Sequence, residues 1–333
     1  MKAAVYYKTG APSVLRYEDV ADPVPGPDEM LTRVQAISIE GGDTLNRLGG
    51  ELATLPHVVG YQSAGTVLEV GANVVGFAPG DRVVSTGLHG SHAELRVVYP
   101  SFSWKVPEGL AIEQAACVPV AYGTAHDCLF EFGRLRAGET VLVHAGASGV
   151  GLAAIQMAQA VGAHVIATAS SAQRLQRLRE FGLDDGIDYA VSDFVTEVRA
   201  LTGGRGADVI VDSVGGSNLQ KSLRALAYRG RCVSFGNAGR EKTASLDVSS
   251  MGGQNQSLTS YFLGAELLMG TRAHPMIQRL LDDVASGELR VAIDRTFPLE
   301  SAEEAHAFIE SRQAFGRVVL VPSTSPRDRE SAV

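Results

Sequence analysis

The stretch from Val141 to Gly151 constrains the fold of this chain more than any other part of the sequence. The apolar run Val141–Val143 has the composition of a buried strand, and a cluster of small residues follows it. An alanine-rich helical pattern begins at once, at Leu152. A strand, a tight turn and a helix in this order form the phosphate-binding unit of dinucleotide-binding folds. Backbone N–H groups and the positive end of the helix dipole face the anion in such a unit.

The small residues of this turn have separate expected roles. A side chain at Gly146 or Gly149 would hold the backbone away from a pyrophosphate, and one at Gly151 would push the helix off the strand. The three glycine positions of the G-x-G-x-x-G fingerprint hold Gly146, Ser148 and Gly151, so the motif is a relaxed one. A purely structural glycine turn is the alternative.

Strand-like and helical patterns alternate beyond the turn. Ala163–Ala169 resembles a second strand, and Gly162 stands where a glycine commonly ends a helix. Such alternation is typical of a parallel sheet with helices on both faces. The sequence therefore predicts an α/β fold with a doubly wound parallel sheet. Further strands are expected at Ala207–Asp212, Arg231–Phe235 and Leu258–Phe262, and helices at Ala172–Phe181, Asp193–Leu201 and Asn218–Tyr228.

The residues after the second strand indicate which dinucleotide binds. An NAD site has an acidic side chain about 20 residues beyond the glycine turn, where it accepts hydrogen bonds from the ribose hydroxyls. This chain has Ser170 and Ser171 there, followed by Arg174. Hydroxyl groups and a guanidinium suit a 2′-phosphate, so the sequence predicts NADPH as the cofactor. Arg177 and Arg179 are interpreted as the solvated face of a helix.

Composition and charge disfavour several classes of function. The 333-residue chain has a net charge of -8 and a pI near 5.5, which disfavours nucleic-acid binding, because Lys and Arg supply most phosphate contacts. Its apolar runs are shorter than the roughly 18 residues of a membrane span. The sequence begins without the apolar core of a signal peptide, so the cytoplasm is the expected location. Three cysteines without C-x-x-C spacing predict neither a disulfide framework nor a structural zinc site.

The dinucleotide unit is expected in the middle of the chain. Residues 1–120 consist of short strand-like segments separated by turns, and they predict a β-rich substrate domain. Residues 121–264 form the predicted dinucleotide-binding domain, and residues 265–322 are expected to return and complete the first domain. The tail 323–333 lacks apolar periodicity and is predicted to be disordered. A cleft between the domains would hold the nicotinamide and the substrate.

Several motifs occur in a fixed order from Gly60 to Leu320. They are Gly60 with Ala64–Val67, Phe77–Val83, Tyr122–Ala125, Gly138–Ala145, Ser148–Gly151 and Phe315–Leu320. In order and spacing they resemble one family, the zinc-free quinone oxidoreductases of the medium-chain dehydrogenase/reductase (MDR) superfamily. The resemblance implies an N-terminal GroES-like β-rich domain, a Rossmann domain and NADPH as hydride donor. A homodimer is also expected.

The resemblance also implies which residues contact the cofactor. Gly236 and Asn237 match the positions beside the nicotinamide ribose, and Arg317 matches a basic position near the cofactor. Ordinary core packing is the alternative for Tyr189 and Phe262. The expected contacts are Thr124 on the nicotinamide side, Ala147, Ser148, Gly149 and Val150 in the pyrophosphate turn, Ser170, Ser171, Arg174 and Tyr189 around the adenosine phosphates, Gly236 and Asn237, Phe262 and Leu263 at the carboxamide, and Arg317.

The chain departs from zinc-dependent relatives at the metal-ligand positions. Those proteins have Gly-His-Glu where this chain has Gly60-Tyr61-Gln62, and cysteines near Glu40 and Val120. These replacements leave no soft ligand set, so no metal site is expected.

Without a metal, charge that develops on the acceptor oxygen needs a hydrogen-bond donor. Tyr61 and Tyr122 are the candidate donors, with Asn46 and Gln62 behind them, and a packing role is the alternative for each. Quinone reductases usually have an asparagine near Glu40, so the glutamate leaves the substrate open.

The sequence thus predicts a zinc-independent, NADPH-dependent oxidoreductase that transfers hydride to a quinone or another conjugated carbonyl, a small electrophilic molecule. One alternative is a reductase of 2-alkenals or enoyl thioesters, which a basic pocket for a carrier phosphate would distinguish. Another is a non-catalytic NADPH-binding structural or RNA-binding relative, although the acidic net charge disfavours RNA. No nucleic-acid or membrane partner is expected.

Overall fold

The structure is a computed structural model that describes residues 1–241 and 245–323. The predicted disordered tail therefore lies outside the described residues, except for Ser323. The chain divides into two compact units. The first unit comprises Met1–Val120, Thr271–Ser286 and the described residues from Ile293 onward, and the second comprises Ala121–Gly270 and Gly287–Ala292.

The secondary structure is as follows. The strands are β1 (Lys2–Tyr6), β2 (Arg16–Asp19), β3 (Met30–Ser38), β4 (His57–Val58), β5 (Gln62–Val70), β6 (Arg82–Thr86), β7 (Leu95–Val98), β8 (Ser103–Lys105), β9 (Thr140–Val143), β10 (His164–Ala169), β11 (Asp185–Asp188), β12 (Ala207–Asp212), β13 (Leu226–Ser234), β14 (Ser257–Ser260), β15 (Ile293–Pro298) and β16 (Arg317–Val321). The helices are α1 (Gly41–Gly49), α2 (Ile112–Ala115), α3 (Val118–His126), α4 (Gly149–Ala160), α5 (Ala172–Leu178), α6 (Phe194–Leu201), α7 (Gly216–Ala225), α8 (Ser249–Gly252), α9 (Leu263–Met269), α10 (Ala273–Ser286) and α11 (Ala302–Glu310).

Antiparallel pairing dominates the first unit. Its larger sheet has the order β15-β16-β3-β5-β6-β8, with β7 also paired to β3, and a smaller sheet has the order β2-β1-β4. The C-terminal strand β16 pairs with the N-terminal strand β3, with Leu320 opposite Ile37. Val34, Ile37 and Val318 are buried in one core cluster with the start of α11, because these strands direct apolar side chains to the same face. The prediction of a GroES-like β-rich domain is confirmed.

A buried chain of polar side chains lies in the first unit. Arg47 on α1 donates from Nε to Nδ1 of His306 on α11 at 3.3 Å and also pairs with Glu310. His306 Nε2 lies 3.0 Å from His92 Nε2, and His92 Nδ1 lies 3.1 Å from Ser91 Oγ. Because the Arg47 guanidinium can only donate, His306 Nδ1 must accept, and the proton of His306 is on Nε2. That proton is donated to His92 Nε2, so His92 carries its own proton on Nδ1. Each imidazole therefore has one nitrogen without a proton, and both histidines are neutral.

Six strands of the second unit form one parallel sheet in the described part of the chain. Their order is β11-β10-β9-β12-β13-β14. The chain starts at β9, adds strands on one side and then crosses to the other side, which is the Rossmann order. Leu142, Ile166 and Ile210 from three neighbouring strands are buried together beside α6 and α7. The predicted doubly wound parallel sheet is confirmed.

Two predicted elements of the second unit have different bounds. The helix expected at Asn218–Tyr228 ends at Ala225, because Leu226 already pairs with Ala207 and begins β13. The strand expected at Leu258–Phe262 ends at Ser260, and Phe262 is instead the N-cap residue of α9. Sequence patterns place element ends poorly, since pairing across the sheet determines them.

The second unit also includes more of the chain than the predicted domain 121–264. It extends to Gly270 and includes residues 287–292. Arg290 in this segment accepts hydrogen bonds on its carbonyl from Tyr122 at 2.6 Å and Gln156 at 3.1 Å, and its N–H donates to Gln156 at 2.9 Å. These long-range hydrogen bonds hold the segment in place, and no local sequence pattern reveals them.

The buried histidine pair makes stability depend on pH. Burial lowers the pKa of His92 to about 3 and the pKa of His306 well below 6.5. The unfolded chain therefore binds more protons, so stability is lost as the pH falls below 6.5. We expect each histidine to contribute a fall of about 1.4 kcal/mol per pH unit to the free energy of unfolding of the first unit between pH 6 and pH 4.5. Asp43, whose pKa burial raises to about 8, should offset about one such contribution in the same range. Urea titrations followed by the fluorescence of Trp104, the single tryptophan and a buried residue of this unit, measure the slope. His92→Gln should lower the slope by about one proton, and an unchanged slope would contradict this account.

Candidate functional site

The turn between β9 and α4, residues 144–148, presents backbone N–H groups at the end of a central strand. Ser148 is the N-cap residue of α4, and its Oγ accepts a hydrogen bond from the N–H of Gly151 at 3.1 Å. The N–H groups of Gly149 and Val150 precede the first intrahelical hydrogen bond of α4. With the helix dipole behind them, they suit an anion. Ala147 is buried beneath the turn.

The two outer glycines of the motif have packing roles. A Cβ at Gly151 would lie 2.5 Å from the carbonyl oxygen of Ala145, so the expected close packing of helix and strand at this position is confirmed. A Cβ at Gly146 would lie 2.9 Å from both Ala167 Cβ and Leu178 Cδ1. The expectation that Gly146 lets a phosphate approach is therefore wrong, because this position faces the core.

Polar groups follow β10 and β11 at the same edge of the sheet. Ser170 is exposed, and Ser171 is the N-cap residue of α5, with its Oγ accepting from Arg174 N at 3.3 Å. Tyr189 follows β11, and its N–H donates to Ala169 O at 3.1 Å. Its side chain is 47% exposed, so core packing does not explain Tyr189. The structure thus brings the predicted adenosine-side residues together at the ends of neighbouring strands.

Two buried polar atoms lie just beyond the ends of β12 and β13. Ser213 Oγ and Asn237 Oδ1 have no hydrogen-bond partner within residues 1–241 and 245–323. Asn237 Nδ2 donates to Glu241 O at 2.9 Å, which fixes the amide orientation and leaves Oδ1 as an acceptor. A Cβ at the neighbouring Gly236 would lie 2.7 Å from Ser213 O. A ligand with hydroxyl or amide groups would satisfy both atoms, so the residues fit a dinucleotide. Sequence analysis missed Ser213, since only the lack of a partner distinguishes it.

Two further segments of the second unit contain predicted contacts. Thr124 is nearly buried in α3, while Phe262 is 54% exposed and Leu263 is buried. Core packing therefore does not explain Phe262. Tyr261 donates to Asp127 at 2.8 Å, which fixes the chain where β14 leads into α9. Burial, together with the carboxylate of Asp127, raises the pKa of Tyr261.

Tyr61 in the first unit is held on several sides. Its N–H donates to Asp43 Oδ1 at 3.0 Å, and its carbonyl accepts from the buried guanidinium of Arg96 at 3.0 Å. Asn46 Nδ2 donates to the Tyr61 hydroxyl oxygen at 3.2 Å, and the ring packs where a Cβ on Gly42 would collide with it. Burial raises the pKa of Tyr61, and the charge of Asp43 adds to this effect. The phenol therefore stays protonated, and with Asn46 as donor its own proton is left for another acceptor.

Two neighbours that sequence analysis missed, Asp43 and Arg96, hold Tyr61 through hydrogen bonds to its backbone. Burial raises the pKa of Asp43 to about 8, although two backbone N–H groups favour its ionised form. Burial lowers the pKa of Arg96 to about 10, where it still carries a positive charge at neutral pH. No motif marked these two residues, because their importance depends on burial.

Tyr122 does not fit the expected role of proton donor. Its side chain is 2% exposed, and its hydroxyl donates to the carbonyl of Arg290 at 2.6 Å. The hydroxyl proton is therefore occupied by a structural hydrogen bond, and the packing alternative applies to Tyr122.

A buried ionic network includes Glu40 and Gln62, which lie at or near positions where the sequence departs from zinc-dependent relatives. The Arg317 guanidinium donates to Glu40 and, through Nε, to Ser38 Oγ at 3.0 Å. Gln62 donates to Glu40 through Nε2 and accepts from Val120 N on Oε1 at 3.1 Å. Burial lowers the pKa of Arg317, but Glu40 and Cys117 together outweigh this effect and raise it, so the guanidinium stays charged. Arg317 thus forms an internal ion pair with Glu40, and its expected position near the cofactor stays a prediction.

The described residues contain neither a metal-ligand cluster nor a membrane-spanning helix. Among residues 1–241 and 245–323, no group of three or more His, Cys, Asp or Glu side chains is arranged to hold a metal ion. The helices found in the same residues are too short or too polar to span a membrane.

Comparison with known proteins identifies the family. Residues 26–108 match the alcohol dehydrogenase GroES-like domain, and residues 149–282 match the zinc-binding dehydrogenase family. A quinone oxidoreductase of Pseudomonas aeruginosa is 37% identical, over 94% of this chain and 97% of that protein. A 2-haloacrylate reductase of a Burkholderia species is 32% identical, over 96% of this chain and 98% of that protein.

A solved structure agrees with these relatives. The crystal structure of Escherichia coli quinone oxidoreductase complexed with NADPH matches with a TM-score of 0.92 and 30% identity, over 97% of this chain and 100% of that one. Similarity of this extent covers both units and the order of their segments. The chain therefore belongs to the quinone oxidoreductase family of the medium-chain dehydrogenase/reductase superfamily.

Proposed function

We infer that this protein is an NADPH-dependent, zinc-independent oxidoreductase that transfers hydride to a quinone or another conjugated carbonyl compound. The observation that carries this proposal is the glycine turn before α4, next to a serine and arginine site after β10. The names of the relatives agree with it, since they include quinone oxidoreductases and a 2-haloacrylate reductase. Both acceptor classes contain a carbon–carbon double bond conjugated to a carbonyl group.

The second unit supplies the dinucleotide site. The N–H groups of Gly149 and Val150 would bind the pyrophosphate, and Ser170, Ser171 and Arg174 would bind the 2′-phosphate. When bound, NADPH supplies the hydride, and the protein orients it. The unsatisfied atoms of Ser213 and Asn237 would bind the sugar or amide groups farther along the cofactor. Their positions follow β12 and β13, where ligands bind in sheets of this type.

The first unit supplies the hydrogen-bond donor. As hydride reaches the acceptor, negative charge develops on its oxygen, and a donor with a fixed orientation stabilises that charge. Tyr61 meets this requirement, because Asp43 and Arg96 hold its backbone and Asn46 donates to its oxygen. The amide of Asn46 also stabilises the phenolate if the proton is transferred.

Zinc is not needed for this mechanism. The Arg317 guanidinium pairs with Glu40, and the side-chain amide of Gln62 donates to Glu40 and accepts from the N–H of Val120. Amide and guanidinium groups are poor partners for Zn²⁺, which prefers thiolate, imidazole and carboxylate. The residues present therefore do not fit a zinc ion.

The expected homodimer and the cytoplasmic location stay predictions. The dimer has one supporting feature in the second unit. Among the described residues, β14 is an edge strand of the parallel sheet, and an edge strand can pair with a strand of another chain.

An activity assay tests the function directly. We expect the purified protein to oxidise NADPH, followed at 340 nm, in the presence of a quinone, an enal or a 2-haloacrylate. An enoyl thioester tested in parallel examines the alternative acceptor class. Activity should survive treatment with a zinc chelator, because Glu40, Gln62 and Arg317 do not form a zinc ligand set. Absence of turnover with every acceptor would refute the proposal. If the chelator removed one bound zinc ion per chain and abolished activity, the zinc-independent part would be refuted.

Arg174→Ala tests the choice of cofactor. The wild-type protein should bind NADPH more tightly than NADH by roughly 1.5 to 3 kcal/mol, the scale of hydrogen bonds to a charged group. The variant should lose most of this preference, while its affinity for NADH stays unchanged. Arg177→Ala is the matched control, since Arg177 is exposed on the same helix, and it should retain the preference. Equal affinities in the wild type would contradict the assignment.

Tyr61→Phe tests the proposed donor. Removing the hydroxyl should lower kcat by about 10- to 100-fold, a loss of about 1.4 to 2.7 kcal/mol in transition-state stabilisation, with little effect on the Kd for NADPH. Tyr122→Phe removes the same group from a structural hydrogen bond, so it should lower thermal stability more than kcat. If the two variants have equal kcat values, Tyr61 is not the donor.

A further inference from the structure

A chain of buried hydrogen bonds connects the ends of three parallel strands in the second unit. His144 follows β9, Thr168 lies in β10, Asp212 ends β12 and Ser222 lies in α7, and all four side chains are buried. His144 Nδ1 lies 3.2 Å from Thr168 Oγ1, and its Nε2 lies 3.0 Å from Ser222 Oγ. Ser222 Oγ in turn lies 2.9 Å from Asp212 Oδ2. None of these residues has a role in the function proposed above.

The direction of the hydrogen bonds in this series follows from the carboxylate of Asp212 at one end. The Ser222 hydroxyl proton can reach Asp212, Asn218 O at 3.0 Å or His144, and the carboxylate is the strongest of these acceptors. His144 must then donate from Nε2 to Ser222. Burial lowers the pKa of His144, while Asp212 raises it, and the imidazole is neutral overall. A neutral imidazole has one N–H, so its Nδ1 accepts the proton of the Thr168 hydroxyl.

Thr168, at the other end of the hydrogen-bonded series, reaches the turn between β9 and α4. Thr168 Oγ1 accepts the N–H of Ala145 at 3.2 Å, and Thr168 O accepts the N–H of Gly146 at 2.9 Å. Ala145 has a φ of +50°, a conformation that a residue with a side chain rarely adopts. Its carbonyl accepts the N–H of Ser148, the N-cap residue of α4, at 2.9 Å. The Thr168 hydroxyl therefore holds the strained residue on which the turn depends.

We propose that His144 and Thr168 are positioning residues that fix this turn in the shape that binds the dinucleotide pyrophosphate. This inference rests on the proposed function and adds residues to its cofactor site. The imidazole orients the Thr168 hydroxyl, and the hydroxyl holds Ala145 in the turn that precedes Gly149 and Val150. Both side chains are buried, so we expect neither to touch the cofactor.

A matched pair of variants separates this role from general stabilisation. Thr168→Val and Thr202→Val each replace a buried threonine whose hydroxyl accepts a backbone N–H, from Ala145 at 3.2 Å and from Gly206 at 2.8 Å. Both substitutions conserve shape, and both should lower the melting temperature. Only Thr168→Val should weaken dinucleotide binding, by at least fivefold in titrations of cofactor fluorescence. Thr168→Ser keeps the hydroxyl and should bind within twofold of the wild type.

The choice of cofactor distinguishes this effect from loss of the 2′-phosphate site. NADPH and NADH share the pyrophosphate, so Thr168→Val should weaken both by the same factor, whereas Arg174→Ala should affect NADPH alone. Wild-type protein that binds neither dinucleotide would remove the proposed function and this inference with it. Wild-type binding that is unchanged in Thr168→Val would overturn this inference alone.

The direction of the chain has its own test in the free protein. Long-range ¹H–¹⁵N spectra of histidine-labelled protein distinguish the two neutral tautomers, and His144→Gln identifies the signal by its loss. We expect the Nε2–H tautomer at pH 7. The Nδ1–H tautomer would overturn the proposed link from Asp212 to Thr168, whatever the binding measurements give.

Discussion

The second unit depends on the need to satisfy buried polar groups where parallel strands end. His144, Thr168, Ser222 and Asp212 lie below the surface at this edge, and each finds its hydrogen-bond partner among the others. Leaving any of them unpaired would cost about 1 to 3 kcal/mol, so removing one member affects the rest. The satisfied set forms a rigid base, and the strained turn at Ala145 is supported by it.

The polar atoms of Ser213 and Asn237, just beyond the ends of β12 and β13, differ from this set. Ser213 Oγ and Asn237 Oδ1 are buried without a partner in the described part of the chain, although the groups beneath them are paired. A protein gains nothing in stability from such atoms, whereas a ligand that supplies the missing groups gains affinity. The change from hydrogen-bonded to unpartnered polar groups therefore coincides with the edge of the proposed binding site.

The sequence predicted the parts of this structure that depend on local patterns. The parallel sheet, the turn at Ser148 and the serine pair after β10 follow from apolar runs, glycine positions and residue type. The role of Gly146 was wrong, since its neighbours Ala167 and Leu178 come from other elements. The ion pair between Arg317 and Glu40, which are distant in sequence, was not expected either. Contacts of this range depend on the tertiary fold, and a residue type alone cannot reveal them.

The two candidate tyrosines illustrate the same limit at the level of chemistry. Tyr61 and Tyr122 have the same side chain, so sequence analysis treated both as candidate donors. Their surroundings separate them. The carbonyl of Arg290 accepts the proton of Tyr122, whereas Asn46 donates to Tyr61 and leaves its proton unused by that bond. Because burial also keeps Tyr61 protonated, its hydroxyl is the one with a proton to offer an electron-rich acceptor oxygen. Function here is decided by which atom receives each hydroxyl proton.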